Sequence, residues 1–405
     1  MNYRSTSEAK VLVAATVGLA FSMTAVINSS FGVFIHPLSQ AFGWERGGIS
    51  FAVSTYYLLT IVTYPAAGWL IDRWGVRRVL IPSIVLFGLT LTGLSFMSGA
   101  MWQLYVGYGL VAVVAVGTTS MSYSRLIVSW FSAKRGLALG TALAGMGIGV
   151  ALIPLLVQAI INTAGWRIAY VTLGAVVSVV VLLVVLPWAR DPQEHKRRQT
   201  AGGVIAAPPT TGLDFPDAIR SRSFLLLTLG FFPLGVMTGS IPTHLVPLLV
   251  ERGIDATRAA MLASSLGFSL IAGRIIMGYL MDRIFAPFLM VFVLMMSILG
   301  LITLLVGVSA LWILVSICLL GFSIGAEVDF TSYLVSRYIG LRSFTSSLGL
   351  LMAVFNMGAS AGPAVMGYSS NTSGTYDLGL KVLIVLMTSA VAPFLCFGRY
   401  PDTLK

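Results

Sequence analysis

The sequence predicts an all-α membrane protein, with twelve transmembrane helices in two pseudo-symmetric six-helix halves. Three observations predict it. First, the 405 residues are 57% hydrophobic and only 10% charged, with a mean hydropathy of +0.92. Soluble domains carry about 25% charged residues, so lipid must solvate much of this apolar surface. Second, apolar runs of the length needed to cross a bilayer, about 20 residues, recur along the chain. Third, a charged Gly-x-x-x-Asp-Arg segment at residues 68–73 returns at 278–283, roughly 210 residues later.

Taken in order, the first run, 11–35, is too long for a signal-peptide core and lacks an Ala-x-Ala end, so it is expected to stay as a span. Runs near 47–70, 79–98 and 102–131 follow, the last carrying Arg125. The fifth and sixth runs, 136–161 and 166–188, complete the first half, 1–188. A polar stretch at 189–221 is expected to be a flexible linker, because it holds Ala-Gly-Gly and Ala-Ala-Pro-Pro segments. The second half, 222–405, holds runs near 222–249, 257–280, 285–306, 309–336, 344–366 and 378–398. Transmembrane strands are excluded, since no 10-residue alternating segments recur. Gly136, Gly145 and Gly149 in the fifth run have the same spacing as Gly349, Gly358 and Gly362 in the eleventh. This supports duplication and suggests close helix packing. A binding site near the midplane between repeats is the usual architecture.

The formal net charge of +11 does not indicate nucleic acid, because the basic residues lie in short loops between apolar runs. One set of loops holds Arg73, Arg77 and Arg78, then Lys134 and Arg135, the basic linker, Arg283, and Arg337 with Arg342. The alternate loops hold fewer, partly offset by acids. The positive-inside rule therefore puts both termini in the cytoplasm. Cys318 and Cys396 lie in apolar runs without metal-type spacing and are expected to be buried packing residues. There is no Gly-x4-Gly-Lys-Ser/Thr, no His/Cys metal cluster and no catalytic constellation. No cofactor, metal or enzyme activity is expected.

Charges inside spans are costly in hydrocarbon and mark candidate sites. Arg274, near the middle of the eighth run, either holds an anion through a bidentate pair or forms a structural ion pair with Glu327 or Asp329. Those two carboxylates, two residues apart in the tenth run, point about 200° apart around a helix. Either carries a proton, or neutralises Arg125, Arg274 or Arg337. Arg125 lines a cavity or snorkels to the interface. His36 closes the first run and precedes Pro37; it is titratable near neutral pH or simply interfacial. Asn28, near mid-membrane, is a further polar candidate, with Tyr56, Tyr57 and Asn356 behind it.

Gly68-Trp69-Leu70-Ile71-Asp72-Arg73-Trp74-Gly75-Val76-Arg77-Arg78 resembles the loop signature of the major facilitator superfamily at every fixed position. Gly278-Tyr279-Leu280-Met281-Asp282-Arg283 keeps its first half. The resemblance implies the twelve-helix facilitator fold and alternating-access transport, with Gly68, Asp72, Arg73, Gly75, Arg77, Arg78, Asp282 and Arg283 as gating residues that clamp neighbouring helices. Residues 31–50, from Phe31-Gly-Val-Phe-Ile-His-Pro-Leu to Ile49-Ser50, resemble the monocarboxylate branch, which includes bacterial oxalate/formate-type exchangers. Trp130-Phe131-x3-Arg135-Gly136 and Gly273-Arg274-x3-Gly278-x3-Asp282-Arg283 resemble the same branch.

This branch resemblance places the substrate carboxylate at Arg274. It puts His36 where relatives often hold a proton-handling lysine, and Leu270 where animal members hold an aspartate. The exchangers' lysine in the eleventh helix has no counterpart in 344–366, so a monoanion fits better than a dicarboxylate. The expected function is thus secondary transport of a small organic anion, a monocarboxylate, by proton symport, and the expected partners are that anion, protons and the lipid bilayer, in a monomer of the inner (plasma) membrane. Proton-coupled efflux of amphiphilic compounds is the alternative within the fold. A partial match of 136–149 to the antiporter signature departs from it at Val150, Leu152 and Ile153. A transporter-like sensor is the alternative outside it.

Overall fold

The computed structural model of the chain describes residues 3–131, 134–189, 212–307 and 309–401. Among them the regular structure is helical, apart from one isolated antiparallel bridge between Gly212 and Gly340. Nine helices among the described residues are long and apolar enough to cross a membrane. One of these, Arg135–Trp188, runs for 54 residues, about 80 Å at 1.5 Å per residue and far more than a 30 Å hydrocarbon core. The chain reverses within it at Gly165, whose φ of 84° and ψ of 168° are not helical. It therefore supplies spans five and six. With Arg46–Trp74 as span two and Met101–Trp130 as span four, the spans number twelve.

Two spans are broken, and the breaks serve each other. Span one consists of Tyr3–Ala20 and Met23–Phe42. Span four consists of Met101–Val114 and Ser120–Trp130, joined by a 3₁₀ turn at Val116–Thr118. At the first break the Ser22 hydroxyl caps Ala25 N–H at 3.3 Å, and the Met23 N–H donates to Thr118 Oγ1 at 3.0 Å. Lipid offers no partner to a freed backbone donor, so an interruption survives only where protein supplies one. The helix then runs through His36-Pro37 to Phe42 and ends at Gly43 in the left-handed region. His36 therefore does not close span one, contrary to the sequence expectation. Proline's fixed φ is compatible with a helix when only one ladder bond is forgone.

The chain forms two compact units. The first comprises the described parts of Met1–Ser132 and Thr141–Thr210 with Phe344–Gly349. The second comprises Ala133–Gly140, Thr211–Ser343 and Leu350–Lys405. Each unit thus contains the opening turns of a helix whose remainder belongs to the other. Within the first unit, a Cβ at Gly145 or Gly149 would lie 2.2 Å from Thr16 O or 1.9 Å from Ala20 O. Within the second, a Cβ at Gly358 or Gly362 would lie 2.3 Å from Phe232 O or 2.4 Å from Val236 O. The repeated glycine spacing therefore makes the same contact twice: span five on span one, and span eleven on span seven.

Most of the expected linker, 190–211, lies outside the described residues, including Arg190, Lys196, Arg197 and Arg198. The part that is described is packed rather than loose. Leu213 N–H donates to Ile339 O at 2.9 Å, Asp214 pairs with Arg342 at 2.7 Å, and Phe215–Arg220 is helical. Asp214 and Pro216 supply helix-start chemistry that the Gly/Pro content of 201–209 obscures. The cysteines also depart from expectation: Cys318 is half-buried and Cys396 is exposed. The last helix ends at Leu395, and Cys396 is its C-cap.

In the second unit, spans eight (Ala256–Met281) and ten (Ala310–Tyr338) cross at a reciprocal glycine pair. A Cβ at Gly273 would stand 2.1 Å from Phe322 O, and one at Gly325 would stand 2.1 Å from Leu270 O. Both obstacles are backbone, so neither can turn aside. Gly325→Val is expected to lower thermal stability by about 1–3 kcal/mol through overpacking, read by thermal unfolding of the purified protein. An unchanged melting temperature would show that the crossing tolerates separation.

Candidate functional site

The glycine crossing sets Arg274, next to Gly273, beside Glu327 and Asp329, which follow Gly325 on span ten. All three are buried, with exposures of 4% for Arg274, 1% for Glu327 and 0% for Asp329. The positive charge of Arg274 acts on both carboxylates. The Thr238 hydroxyl, on span seven (Arg222–Glu251), donates to Glu327 Oε2 at 2.5 Å. Glu327 Oε1 and both oxygens of Asp329 accept no hydrogen bond among the described residues. One guanidinium thus shares a buried pocket of charge with two carboxyl groups that differ in local satisfaction. Thr238 was not singled out by sequence, because a threonine in an apolar run is common and its partner lies 89 positions away.

The first set of expected gating residues is at helix ends rather than in a loop. Gly68 to Trp74 are the last two turns of span two, and Gly75, with φ of 86°, is the whole junction to the helix Val76–Leu94, whereas Asp282 and Arg283 lie in the turn after Met281. The two aspartates accept from helix starts. Asp72 accepts from Thr345 N at 3.1 Å, Ser346 N at 2.6 Å and Ser346 Oγ at 2.7 Å. Asp282 accepts from Gly136 N at 2.8 Å and Leu137 N at 3.0 Å. Each aspartate thus caps the start of a helix, where free N–H groups and the helix dipole favour an anion. Arg73 lies over the Trp69 ring at 5.0 Å, and Arg283 lies over Tyr279 at 4.0 Å. Gly68 is needed because a Cβ there would stand 2.3 Å from Thr345 O. Arg77 is half-buried and Arg78 exposed.

Arg125, Asn28 and His36 belong to the first unit. Arg125 is half-buried, with its guanidinium 5.9 Å from the Phe344 ring centre. Asn28 is exposed, and its Oδ1 accepts from the Tyr57 hydroxyl at 2.7 Å. His36 is exposed and lines an open cavity of about 450 Å³ with Gln40, Gln158, Asn162 and Trp166. No group of three or more His, Cys, Asp or Glu side chains able to hold a metal occurs among the described residues.

Twelve helical spans, glycine contacts repeated between spans one and five and between seven and eleven, and helix-start carboxylate caps define a multi-pass helical membrane protein. The chain belongs to the Major Facilitator Superfamily, whose family description it matches over residues 17–363. It is therefore a transporter of that superfamily and not an enzyme. It is 27% identical to the uncharacterized MFS-type transporter YcxA of Bacillus subtilis over 93% of both chains. It is 26% identical to monocarboxylate transporter 13 of Bos taurus, over 87% of this chain and 81% of that protein. Among solved structures it is similar to FucP, the E. coli fucose:proton symporter, in the outward conformation. There the TM-score is 0.72 at 14% identity, over 96% of this chain and 99% of that one.

Asp72→Asn keeps the shape of the cap but removes its charge. It is expected to weaken protection of the Thr345 and Ser346 amides by about 1 kcal/mol, measured by hydrogen exchange. Equal protection in the variant would show that the carboxylate charge is not what holds this helix start.

Proposed function

We propose that this chain carries a small organic monoanion, a monocarboxylate, across the plasma membrane by alternating access with proton symport. The observation that carries the reading is Arg274: a guanidinium 4% exposed in the middle of a membrane span. A charge there is costly unless it serves a site. Guanidinium binds carboxylate through two parallel, charge-assisted hydrogen bonds, which gives orientation as well as affinity. The similarity to a protein named a monocarboxylate transporter supports the same substrate class, and the similarity to a fucose:proton symporter is compatible with proton coupling.

In this reading Arg274 binds the substrate; Arg125 and Asn28 are the binding candidates within the first unit. Glu327, Asp329 and His36 are the proton-linked candidates. The Asp72 and Asp282 caps act as clamps that open and re-form during the transport cycle, supported by Gly68, Arg73, Gly75, Arg77, Arg78 and Arg283. The helix-dipole attraction is modest, which suits a contact that must be broken each cycle. The loop bias in lysine and arginine favours cytoplasmic termini.

The test is ligand stabilisation of the purified protein against acetate, lactate and 3-phenylpropionate. A bound monocarboxylate at about a hundredfold excess over Kd is expected to stabilise the protein by about 2.7 kcal/mol, and Arg274→Ala to abolish the shift. Shifts with bulky apolar cations and none with any carboxylate would replace this reading with efflux of amphiphilic compounds.

A further inference from the structure

The charges around Arg274 do not balance as drawn. One guanidinium faces two carboxyl groups, and all three are at least nine-tenths buried. Ionising both carboxyls leaves one net negative charge in the membrane interior, which hydrocarbon strongly disfavours. One proton must therefore reside on the cluster at rest. The two carboxyls are not equivalent hosts for it. Glu327 has a donor, the Thr238 hydroxyl at 2.5 Å. A charge-assisted bond of this kind favours the ionised form. Asp329 has no hydrogen-bond donor at either oxygen among the described residues.

Among the described residues of span ten and the helices packed on it, the other charged groups lie at helix ends or hold other partners. Span ten packs against spans eight, nine and seven. Span eight brings Arg274; its other cation, Arg258, is at the opposite end of the helix. Span nine, Ala286–Val306, has no ionisable residue. Span seven brings Thr238; His244 on that helix lies against Tyr376, and Arg222 and Glu251 are its terminal residues. On span ten itself, Arg337 is two turns further along and bonds to Tyr333.

We propose that Glu327 is the carboxylate that takes up the transported proton, that Asp329 stays protonated throughout, and that Thr238 positions Glu327 in both states. The assignment rests on the carboxylate-binding role of Arg274. At rest the cluster is neutral: Arg274 positive, Glu327 negative, Asp329 neutral. A monocarboxylate arriving at Arg274 adds one negative charge. One proton from the same aqueous side, bound at Glu327, restores neutrality and frees Arg274 from its ion partner. Thr238 is suited to both states because a hydroxyl donates to a carboxylate and accepts from a carboxylic acid. The cycle therefore moves one proton with each monoanion and no net charge.

The test uses the full-length protein in lipid vesicles and needs no substrate for its first arm. Beside a constant band from Asp329, infrared titration is expected to show one protonated-carboxyl band that changes with pH. Glu327→Gln should remove it and Asp329→Asn should keep it. Thr238→Val should move its midpoint upward, because the ionised form loses its donor. A titrating band that survives Glu327→Gln, one lost in Asp329→Asn, or no such band, overturns the assignment. In the second arm, Glu327→Gln vesicles should keep lactate exchange at equal pH but lose accumulation driven by an acid exterior. Retained acid-driven accumulation overturns the coupling role. If the band behaves as expected but neither lactate, acetate nor 3-phenylpropionate moves in the wild type, the proton site stands and the carboxylate reading falls.

Discussion

Hydrocarbon supplies no hydrogen bonds, and that constraint organises this protein. Every interrupted helix and every buried charge must find its partner in the chain itself. The break in span one at Ser22 is tolerable because Thr118, from the break in span four, receives its free N–H. The free N–H groups at Gly136 and Leu137 are met by Asp282, and those at Thr345 and Ser346 by Asp72. Glycine is the means by which backbone comes close enough for such exchanges, since lipid tails give apolar faces little reason to associate and small residues let dispersion and polar contacts take over.

Much of this was legible in the sequence because it is periodic. Apolar run length reported the spans, and the near-constant offset between Gly68–Asp72 and Gly278–Asp282 reported the duplication. The glycine spacing at 136, 145 and 149 reported a contact surface, though not what it touches. Local breaks were less legible. Pro37 looked like an end and is interior, whereas Ser22, an ordinary polar residue in an apolar run, marks the true interruption. The gating stretch looked like a loop because it is charged; in fact helix persists to Trp74, since its polar residues sit at a helix end where caps and rings receive them.

The candidate site was half legible. Arg274, Glu327 and Asp329 stand out in any hydropathy reading, because charge in a span is rare. Their proximity stood in the sequence only as one of several pairings, since it depends on Gly273 and Gly325 crossing at a depth that no single-helix pattern encodes. Thr238 was invisible for the same reason: its role comes from the partner placed opposite it.

The acidic residues of the chain's two kinds of site illustrate how context divides the same chemistry. Asp72 and Asp282 are anions stabilised by peptide dipoles, where two backbone N–H groups donate to each carboxylate at a helix start and the Ser346 hydroxyl adds a third bond to Asp72. Such a bond can be lost to water at modest cost, so these groups suit a contact that opens and closes. Glu327 and Asp329 lie where water does not compensate, and among the described residues Arg274 is the cation that acts on both. There a change in one charge must be answered by another, which is the demand the proposed coupling of anion and proton would meet. Position relative to the hydrocarbon, more than residue type, therefore separates the two kinds of carboxylate in this fold.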